Sequence, residues 1–372
     1  MALLAFPPRG GSGRVAASLA RALADEGIEV HLCLRGEEGP EIPGVEVHSI
    51  RPPSYAPFEE PLYWTALASE LAGLAERRGI DLVHAHYALP HAPAALLADR
   101  MLGTGRLRLV TTLHGTDASL VGGQPPLRRV VRHSLEESDL VTAVSPYLAD
   151  LTRTSLGFRG EVRVLPDFLG DEAFLPRTEP PWWERGERSP RRILHLGSFR
   201  GVKRADDLCL ALGAIARRVP IEADLCGAGP EREAAENRIR DLGLESRVRF
   251  RGRVEDPGPL LRRADLYLFS SRSESFGMGM LEAMAAGVPV AGPAVGGVPW
   301  VLGDPPGGIL VPPSAPHALA EAACLLLTRP DLHREASARA LARAGDFSRS
   351  AVVPRWIELY AETRMRPSRR GP

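Results

Sequence analysis

Short apolar runs alternate with longer amphipathic segments along the whole chain. The apolar runs at 28–34 and 264–269 predict buried strands, whereas the helical spacing of apolar residues over 14–25 and 63–78 predicts helices. Strands that alternate with helices are typical of a parallel sheet with helices packed on both faces. The pattern therefore predicts the α/β fold class with doubly wound sheets.

The alternation of strands and helices is interrupted once. Residues 169–190 are rich in proline, arginine and glutamate and show no periodicity, which predicts a linker. A chain of 372 residues is also too long for a single hydrophobic core, so two domains are expected. We predict an N-terminal domain at 1–168 and a C-terminal domain at 191–350, followed by a last helix at about 351–366.

The composition argues against several classes of protein. The 46 basic residues balance 46 acidic residues, which removes the electrostatic case for general nucleic-acid binding. No apolar run is long enough to span a bilayer, and the apolar start of the chain lacks a basic leader, so it predicts a first strand and not a secretory signal. Four cysteines without metal-site spacing are typical of a reduced, cytoplasmic protein.

The stretch at 270–297 carries the strongest chemical signal. Glu274 follows a predicted buried strand, and Glu282 lies in a short predicted helix that Gly287 ends. Ligands of a parallel sheet bind beyond the carboxyl ends of its strands, and a helix N-terminus offers backbone N–H groups to an anion. The stretch therefore predicts a site for a molecule that carries sugar hydroxyls and phosphates. The alternative is that the glutamates only cap the helix.

A glycine-rich turn at 10–13 follows the first predicted strand and precedes a helix from about 14 to 25. Glycines let backbone N–H groups approach a phosphate closely. A dinucleotide-binding domain is the competing interpretation, but its three spaced glycines are absent and Arg35, not an acidic residue, ends the second strand. The sequence therefore disfavours a dehydrogenase.

Histidines follow two further predicted strands. His84 and His86 share one face of a strand and could suggest a metal site, but no carboxylate or cysteine completes the set, so no metal is expected. We expect His86 and Tyr87 to line a cleft between the domains instead. His114 lies just past another strand and is a candidate for the catalytic crevice, with a local turn that satisfies the histidine as the alternative.

Lys203 is the only lysine among the 46 basic residues. A position that keeps lysine in such a chain indicates a need for a compact point charge, which the planar guanidinium of arginine does not supply. With Arg200 on the same loop, Lys203 could hold a diphosphate and stabilise the charge that develops on a departing nucleotide. The alternative is a surface loop with two solvated charges.

These segments together resemble one family. The string S-x-x-E-S-F-G-x-x-x-L-E-A-M-A-x-G-V-P-V resembles the donor-sugar motif of the family-4 retaining glycosyltransferases. Over nearly its whole length the chain is similar, within that family, to the bacterial enzymes that glycosylate L-malate in the first committed step of bacillithiol synthesis. The other segments that carry the similarity are GGSG (10–13), HAHYALPHA (84–92), TLHGTD (112–117), VRHSLEESDLVTAVS (131–145) and SFRGVKRADD (198–207).

The resemblance implies a GT-B fold, in which two Rossmann-like domains face each other across a cleft and the last helix, at about 351–366, packs back on the N-terminal acceptor domain. It implies transfer of GlcNAc from UDP-GlcNAc to the hydroxyl of L-malate with retention, without a metal or another cofactor. These two small molecules would be the partners, with no nucleic acid and no membrane span. A homo-oligomer would be compatible with it.

The resemblance also assigns roles to individual residues. Catalytic roles fall to His114, Lys203, Arg200 and Glu274. Donor binding falls to Gly11, Gly13, Arg200, Lys203, Arg253, Glu274, Phe276, Gly277, Met278 and Glu282, with residues 276–278 acting through their backbone. The candidates for acceptor binding are Ser12, Tyr87, Thr116 and Arg132, of which Arg132 could make a bidentate pair with a carboxylate of malate.

The chain departs from the family pattern at four positions, which are Asp167 in place of asparagine, Ser198 in place of arginine or asparagine, Gly201 in place of proline and Trp300 in place of glutamate. Several alternatives stay open: another acceptor such as an inositol phosphate, a glycan or a lipid, a UDP-GlcNAc epimerase, or an inactive nucleotide-sugar sensor. No side chain stands out as a covalent nucleophile, so our hypothesis for retention is a front-side displacement.

Overall fold

The structure is a computed structural model of the chain, and it describes residues 1–8, 11–36, 40–52, 62–103, 105–121, 124–174, 176–186, 188–368 and 370. The chain folds into two compact units. The first unit comprises Met1–Phe168 and Arg349–Pro372, and the second comprises Leu169–Ser348.

The first unit is built on a parallel sheet, in which seven strands lie within the described residues. In chain order its elements up to residue 168 are β1 Ala2–Ala5, α1 Gly11–Asp25, β2 Val30–Arg35, β3 Val45–Ile50, α2 Tyr63–Arg78, β4 Leu82–His86, α3 His91–Met101, β5 Arg108–Leu113, a π-helical turn Asp117–Val121, α4 Pro125–Glu136, β6 Leu140–Ala143, α5 Pro146–Leu156 and β7 Arg163–Val164. The strand order is β3-β2-β1-β4-β5-β6-β7. Because the order reverses between β1 and β4, a crevice opens at the carboxyl ends of these two strands.

Strand β1 lies in the middle of the core of this unit, and its side chains alternate between the two faces of the sheet. Leu3 and Ala5 pack in a cluster with the apolar side of α1. Ala2 and Leu4 point to the opposite face and pack in a cluster with α2 and α3. Burial on both faces explains why the strand is a continuous apolar run and not an alternating pattern.

The second unit repeats the architecture with six strands among the described residues. Its elements are β8 Arg191–Leu196, a 3-10 turn Gly201–Lys203, α6 Ala205–Ala216, β9 Ile221–Cys226, α7 Arg232–Asp241, β10 Val248–Gly252, α8 Gly258–Leu261, β11 Leu266–Leu268, α9 Met278–Ala285, β12 Val290–Pro293, α10 Val298–Leu302, β13 Gly308–Val311, α11 Pro316–Thr328 and α12 Pro330–Gly345. The order is β10-β9-β8-β11-β12-β13, so the crevice of this sheet lies between β8 and β11.

The last helix, α13 at Arg349–Met365, belongs to the first unit and not to the second, which precedes it in the chain. Val352, Trp356 and Tyr360 are buried in the same cluster as α1 and β1. The hydroxyl of Tyr360 lies 2.8 Å from Nδ1 of His84 on β4. Apolar burial and this hydrogen bond therefore attach the end of the chain to the N-terminal sheet.

Residues 169–190, for which the sequence predicts a linker, belong to the second unit. Trp182 is buried, and the guanidinium of Arg191 lies 4.6 Å from the centre of its ring. Arg177 and Arg185 reach the fully buried carboxylate of Asp265 at 3.1 and 2.5 Å. The segment is held by single aromatic and ionic contacts, which leave no periodic pattern in the sequence.

All four cysteines are buried, and each is a free thiol in the structure. Burial raises the pKa of Cys33 and of Cys209 to about 12, which keeps these thiols protonated. Within the described ranges, no helix is both long enough and apolar enough to cross a membrane.

Candidate functional site

The polar residues of the second unit meet where β8 and β11 end. The ammonium of Lys203 contacts Oε1 of Glu274, and the hydroxyl of Ser271 donates a hydrogen bond of 2.7 Å to the same oxygen. Both charged side chains are mostly buried. The structure thus brings two of the predicted donor residues into direct contact, at the crevice that the strand order creates.

Hydrogen bonds to main-chain carbonyl oxygens fix the two loops that carry this ion pair. The hydroxyl of Ser270 donates to the carbonyl oxygens of Lys203 and Arg204, each at 2.9 Å. The N–H of Arg272 donates to the carbonyl of Val202 at 2.7 Å. The loop after β8 and the loop after β11 therefore form one rigid support for the pair.

Helix α9 starts immediately after the glutamate loop and points its N-terminus into the same region. Gly277 has a φ of 96°, a backbone conformation that favours glycine, and it lets the chain turn into the helix. At Gly279 an added Cβ would lie 2.7 Å from Oη of Tyr267 and 2.8 Å from the carbonyl oxygen of Leu196. The first N–H groups of the helix, beginning at Met278, are therefore held close to the end of β8, where a phosphate could accept from them.

Phe276 contributes to this site through its position in an aromatic cluster. Its side chain is buried against Trp300 and Phe347, with ring centres 6.3 and 5.5 Å apart. A buried ring leaves only the backbone at this position free to meet a ligand, in line with the backbone role that the resemblance implies. Trp300, which departs from the family pattern, stabilises the loop from the side of α10.

The other predicted donor residues lie around the ion pair or at the surface. Glu282 is half-buried on α9, and its charge, like that of Glu274, raises the pKa of the buried Tyr267 beyond the effect of burial itself. Arg200 and Arg253 are exposed, at the ends of β8 and β10. Their exposed side chains are compatible with a role in meeting a ligand that arrives from solvent.

His195 is a residue of this site that the sequence analysis missed. It is buried on β8, and its Nδ1 lies 3.0 Å from the carbonyl oxygen of Leu268 on β11. Burial is the main cause that lowers its pKa to about 4, and the charge of Lys203 acts in the same direction. A neutral histidine thus links β8 to β11 close to the ion pair. The sequence signal for this residue was a single polar position within the apolar run of β8.

In the first unit, three hydroxyl-bearing candidates meet where β1 and β4 end. Tyr87 follows β4 with a φ of 82°, and its ring packs against Phe6 with centres 5.3 Å apart. Burial raises the pKa of the Tyr87 hydroxyl, whereas hydrogen bonds with the side chains of Ser12 and Thr116 lower it. The structure therefore brings Ser12, Tyr87 and Thr116 together, and their role in acceptor binding stays a prediction.

Ser12 reaches this cluster because α1 begins at Gly11, earlier than the predicted start at about 14. The glycine-rich segment is thus the first turn of the helix and not a loop before it; residues 9–10 lie outside the described residues. An added Cβ on Gly13 would lie 2.3 Å from the carbonyl oxygen of Pro7. Only glycine allows the helix N-terminus to approach the end of β1 so closely.

A second set of side chains lies beside Tyr87. His86 Nδ1 is 3.0 Å from His114 Nε2, and His114 Nδ1 is 3.9 Å from Oδ1 of Asp167. Burial lowers the pKa of His114 to about 3 and raises that of Asp167 to about 7. Within the described part of the chain, Nε2 of His86 is buried without a hydrogen-bond partner. At neutral pH the two histidines are therefore uncharged, whereas Asp167 is only partly ionised.

Asp117 fixes the loop that carries His114. Its Oδ2 accepts from the N–H of His114 and its Oδ1 from the N–H of Ala88, both at 2.9 Å. Burial raises the pKa of Asp117 to about 7, although these hydrogen bonds lower it. The turn that we considered as the alternative for His114 is thus present, and it positions the histidine against His86 at the same time.

The histidines predicted as a strand-face pair differ in their surroundings. Nδ1 and Nε2 of His84 lie 2.8 Å from Tyr360 Oη and 2.6 Å from Thr112 Oγ1. Since both ring nitrogens have protein partners, His84 supports the fold and His86 alone of the two faces the site.

The structure does not bring Arg132 to the hydroxyl cluster. Arg132 is exposed on α4, its Nε lies 3.5 Å from Oε1 of Glu136, and it lines a cavity of about 540 Å³ with residues 157–160. Residues 157–160 follow α5 and precede β7, which places them at the amino edge of the sheet. Helix α4 runs from the carboxyl edge to the amino edge, so its second half, with Arg132, lies at the end opposite to Tyr87.

Comparisons with known proteins identify glycosyltransferase sequence in both units of the chain. The family profile Glycosyltransferase Family 4 matches residues 9–169, and Glycosyl transferases group 1 matches residues 190–329. The chain is 35% identical over 361 residues to the N-acetyl-alpha-D-glucosaminyl L-malate synthase of Bacillus anthracis. The aligned residues cover 95% of this chain and 94% of that enzyme. It is 27% identical to the D-inositol 3-phosphate glycosyltransferase of Corynebacterium glutamicum, over 94% of this chain and 91% of that one.

Solved structures show the same fold at low sequence identity. A sucrose-phosphate synthase from Thermosynechococcus elongatus is similar with a TM-score of 0.81 and 22% identity, covering 97% of this chain and 98% of that one. HepE from Anabaena, solved in complex with UDP-glucose, has a TM-score of 0.77 and 21% identity, with 97% and 99% covered. The two parallel-sheet units are thus those of the GT-B glycosyltransferases.

Proposed function

The chain belongs to glycosyltransferase family 4, and on that premise we propose that it transfers GlcNAc from UDP-GlcNAc to the hydroxyl of L-malate with retention. In this reaction the bond from the anomeric carbon to the UDP oxygen breaks and a bond to the malate oxygen forms on the same face. The proton of the malate hydroxyl passes to the departing diphosphate. The product would be the first intermediate of bacillithiol synthesis, made in the cytoplasm.

One observation carries the choice of substrates. The 35% identity with the malate synthase of Bacillus anthracis extends over 95% of this chain and 94% of that enzyme, so it includes the acceptor half as well as the donor half. Similarity confined to the second unit would support a nucleotide-sugar donor and say nothing about malate. The 27% identity with an inositol phosphate enzyme makes that acceptor the alternative to test.

On the donor side, we assign the diphosphate to the cations and N–H groups around the end of β8. Lys203 and Arg200 supply positive charge, and the N-terminus of α9 at Gly277 and Met278 supplies N–H donors. Glu274 would exchange part of its contact with Lys203 for the sugar hydroxyls, and Glu282 would accept from the ribose. No step of this scheme uses a metal, so a chelator is expected to leave turnover unchanged.

On the acceptor side, we assign malate to the hydroxyls of Ser12, Tyr87 and Thr116. A carboxylate of malate can accept from these hydroxyls and from the N–H groups of the first turn of α1, whose positive dipole end favours an anion. His114 would lie beside the reacting sugar as a neutral group. Because burial raises the pKa of Asp117 and of Asp167 to about 7, these carboxyl groups are only partly ionised at neutral pH and repel the dicarboxylate less than two ordinary aspartates would.

The test is the release of UDP from UDP-GlcNAc in the presence of L-malate, D-malate, inositol phosphate or no acceptor. The proposal expects release with L-malate only, together with a product that retains the α configuration by NMR. Release with inositol phosphate in place of malate would move the protein to the other acceptor class. Conversion of the sugar without release of UDP would instead indicate an epimerase.

A further inference from the structure

Three metal-ligating side chains cluster on the N-terminal sheet, away from the residues assigned to transfer. His31 on β2 is in register with Glu46 on β3, and His48 lies two residues further along β3. Alternate residues of a strand share a face, so all three side chains lie on the same face of the sheet. The nitrogen and oxygen atoms they offer lie within 4.8 Å of one another.

We propose that His31, Glu46 and His48 form a binding site for a divalent transition ion, with Zn²⁺ as the ion that suits two imidazoles and one carboxylate. His31 Nδ1 is 3.0 Å from His48 Nε2, and the carboxylate of Glu46 is 3.6 and 3.7 Å from the same two nitrogens. Ligand atoms at about 2.1 Å from a tetrahedral zinc are about 3.4 Å apart. The observed separations need only small side-chain rotations to match.

Glu29 contacts the ring nitrogen of His31 that points away from the proposed ion. Its Oε1 lies 3.1 Å from Nε2 of His31, so a neutral His31 donates its Nε2 proton to Glu29 and presents the lone pair of Nδ1 to the site. A carboxylate that holds the outer nitrogen of a ligating histidine is a general feature of zinc sites. In this arrangement the proton between His31 Nδ1 and His48 Nε2 belongs to His48, and it would move to Nδ1 of the His48 ring by exchange with solvent when the ion takes its place.

The cluster is accessible from solvent through Glu46, and both acidic and basic side chains surround it. His31 is 1% exposed and His48 15%, but Glu46 is 46% exposed, which opens a path for a hydrated ion. His48 directs its Nε2 into the cluster, towards both His31 and Glu46. Arg78 on α2 lies 3.2 Å from the carboxylate of Glu46 and would compete with the ion for it. Glu70 and Arg77, also on α2, carry opposite charges whose effects on His48 oppose each other.

The position of the cluster indicates what the ion would do. His31 and Glu46 each come second in their strands, so they lie at the amino edge of the sheet, opposite to the edge where Tyr87 follows β4. The N-terminal amine also donates to the carbonyl oxygen of Glu29 at 2.9 Å. A bound ion would therefore link β2 to the outermost strand β3 and stabilise this edge, without a part in transfer.

The experiment is a titration of the full-length protein, freed of metal with a chelator, with Zn²⁺ alone. We expect one equivalent to bind and to raise the Tm, with UDP release unchanged. His48→Ala and Glu46→Gln, which change half-buried and exposed side chains, are expected to weaken binding at least about 100-fold, and Glu29→Ala about 10-fold to 100-fold. His317→Ala removes an exposed histidine of α11 and is expected to leave binding unchanged.

Arg78→Ala gives a result in the opposite direction. Removal of the competing guanidinium is expected to tighten Zn²⁺ binding by up to about fivefold, since exposed ion pairs contribute up to about 1 kcal/mol. A tetrahedral Co²⁺ spectrum with nitrogen and oxygen ligands would support the proposal independently of protein stability. The absence of stoichiometric binding, or equal affinities in the parent, His48→Ala and Glu46→Gln proteins, would overturn it.

Discussion

The ammonium of Lys203 contacts Oε1 of Glu274, so the only lysine of the chain is paired with the glutamate that follows β11. The pair lies between two loops that hold each other through Ser270. A compact ammonium can direct its whole charge at one carboxylate oxygen, whereas the planar fork of a guanidinium suits two parallel hydrogen bonds. The contact explains the retention of a lysine in a chain that otherwise uses arginine.

Replacement of Lys203 tests this relationship. Lys203→Ala is expected to lower kcat/KM for UDP-GlcNAc by about 100-fold to 1,000-fold, because a cation aimed at the leaving diphosphate is lost. Lys203→Arg keeps the charge and is still expected to be impaired, because its geometry differs. Steady-state kinetics of UDP release is the measurement. Arg217→Ala, at an exposed arginine that directly follows α6, is the control. Full activity of Lys203→Arg would show that charge alone matters.

Tyr87→Phe tests the assignment of the acceptor. The change removes the hydroxyl that Ser12 and Thr116 reach and keeps the ring that packs on Phe6. We expect the KM for malate to rise by up to about tenfold, the effect of one hydrogen bond, and the KM for UDP-GlcNAc to stay unchanged. Tyr147→Phe, at an exposed tyrosine, is the control. A rise in the KM of the donor instead would contradict the assignment.

Gly279→Ala tests the close packing of α9. The new methyl group would lie 2.7 Å from Oη of Tyr267 and 2.8 Å from the main chain of Leu196, so the start of the helix must shift. We expect a loss of about 1–3 kcal/mol in the free energy of unfolding and weaker binding of UDP. Gly345→Ala, at a helical glycine with open space around it, controls for the change in helix propensity. Chemical denaturation and UDP titration measure the two effects.

The pH dependence of stability tests the environment of Asp167. Burial raises its pKa from 3.8 to about 7, so the folded state binds more protons than the unfolded state between these two values. The free energy of unfolding therefore falls as the pH rises from about 4 to about 7. Asp167→Asn removes this contribution, and we expect it to stabilise the protein at pH 8 relative to the parent, by a few kcal/mol at most, and much less at pH 4.

Denaturation curves at both pH values measure this difference. Asp150→Asn on the exposed side of α5, where Asp150 pairs with Arg153 at 2.9 Å, is the matched control. A change of the same size at pH 4 and pH 8 would mean that the Asp167 carboxyl is not the titrating group.

The sequence was a good guide where a property repeats along the chain or where a motif is long. Helix α2 has the predicted bounds, Tyr63–Arg78, because its apolar residues recur at helical spacing. Glu274 follows β11 as predicted, because a fully buried strand is a visible apolar run. The resemblance also selected Ser12, Tyr87 and Thr116, which the fold brings together from three separate segments.

The sequence was a poor guide where single contacts between distant residues decide the structure. Periodicity shows that Arg132 is on a helix, but it does not show which edge of the sheet its side chain approaches. The ion pair of Lys203 with Glu274 depends on how two loops 71 residues apart are joined, which no local pattern contains. The same holds for residues 169–190, where Trp182 and the arginines around Asp265 replace a regular apolar face.

The most direct test of the proposed function is UDP release from UDP-GlcNAc with L-malate, measured for the parent protein and for Lys203→Ala. Malate-dependent release by the parent, absent with inositol phosphate and lost in the variant, is the result that the proposal predicts. Binding of UDP-GlcNAc without malate-dependent release would contradict the assignment of the acceptor. Equal release by the parent and the Lys203→Ala protein would contradict the role given to the contact between Lys203 and Glu274.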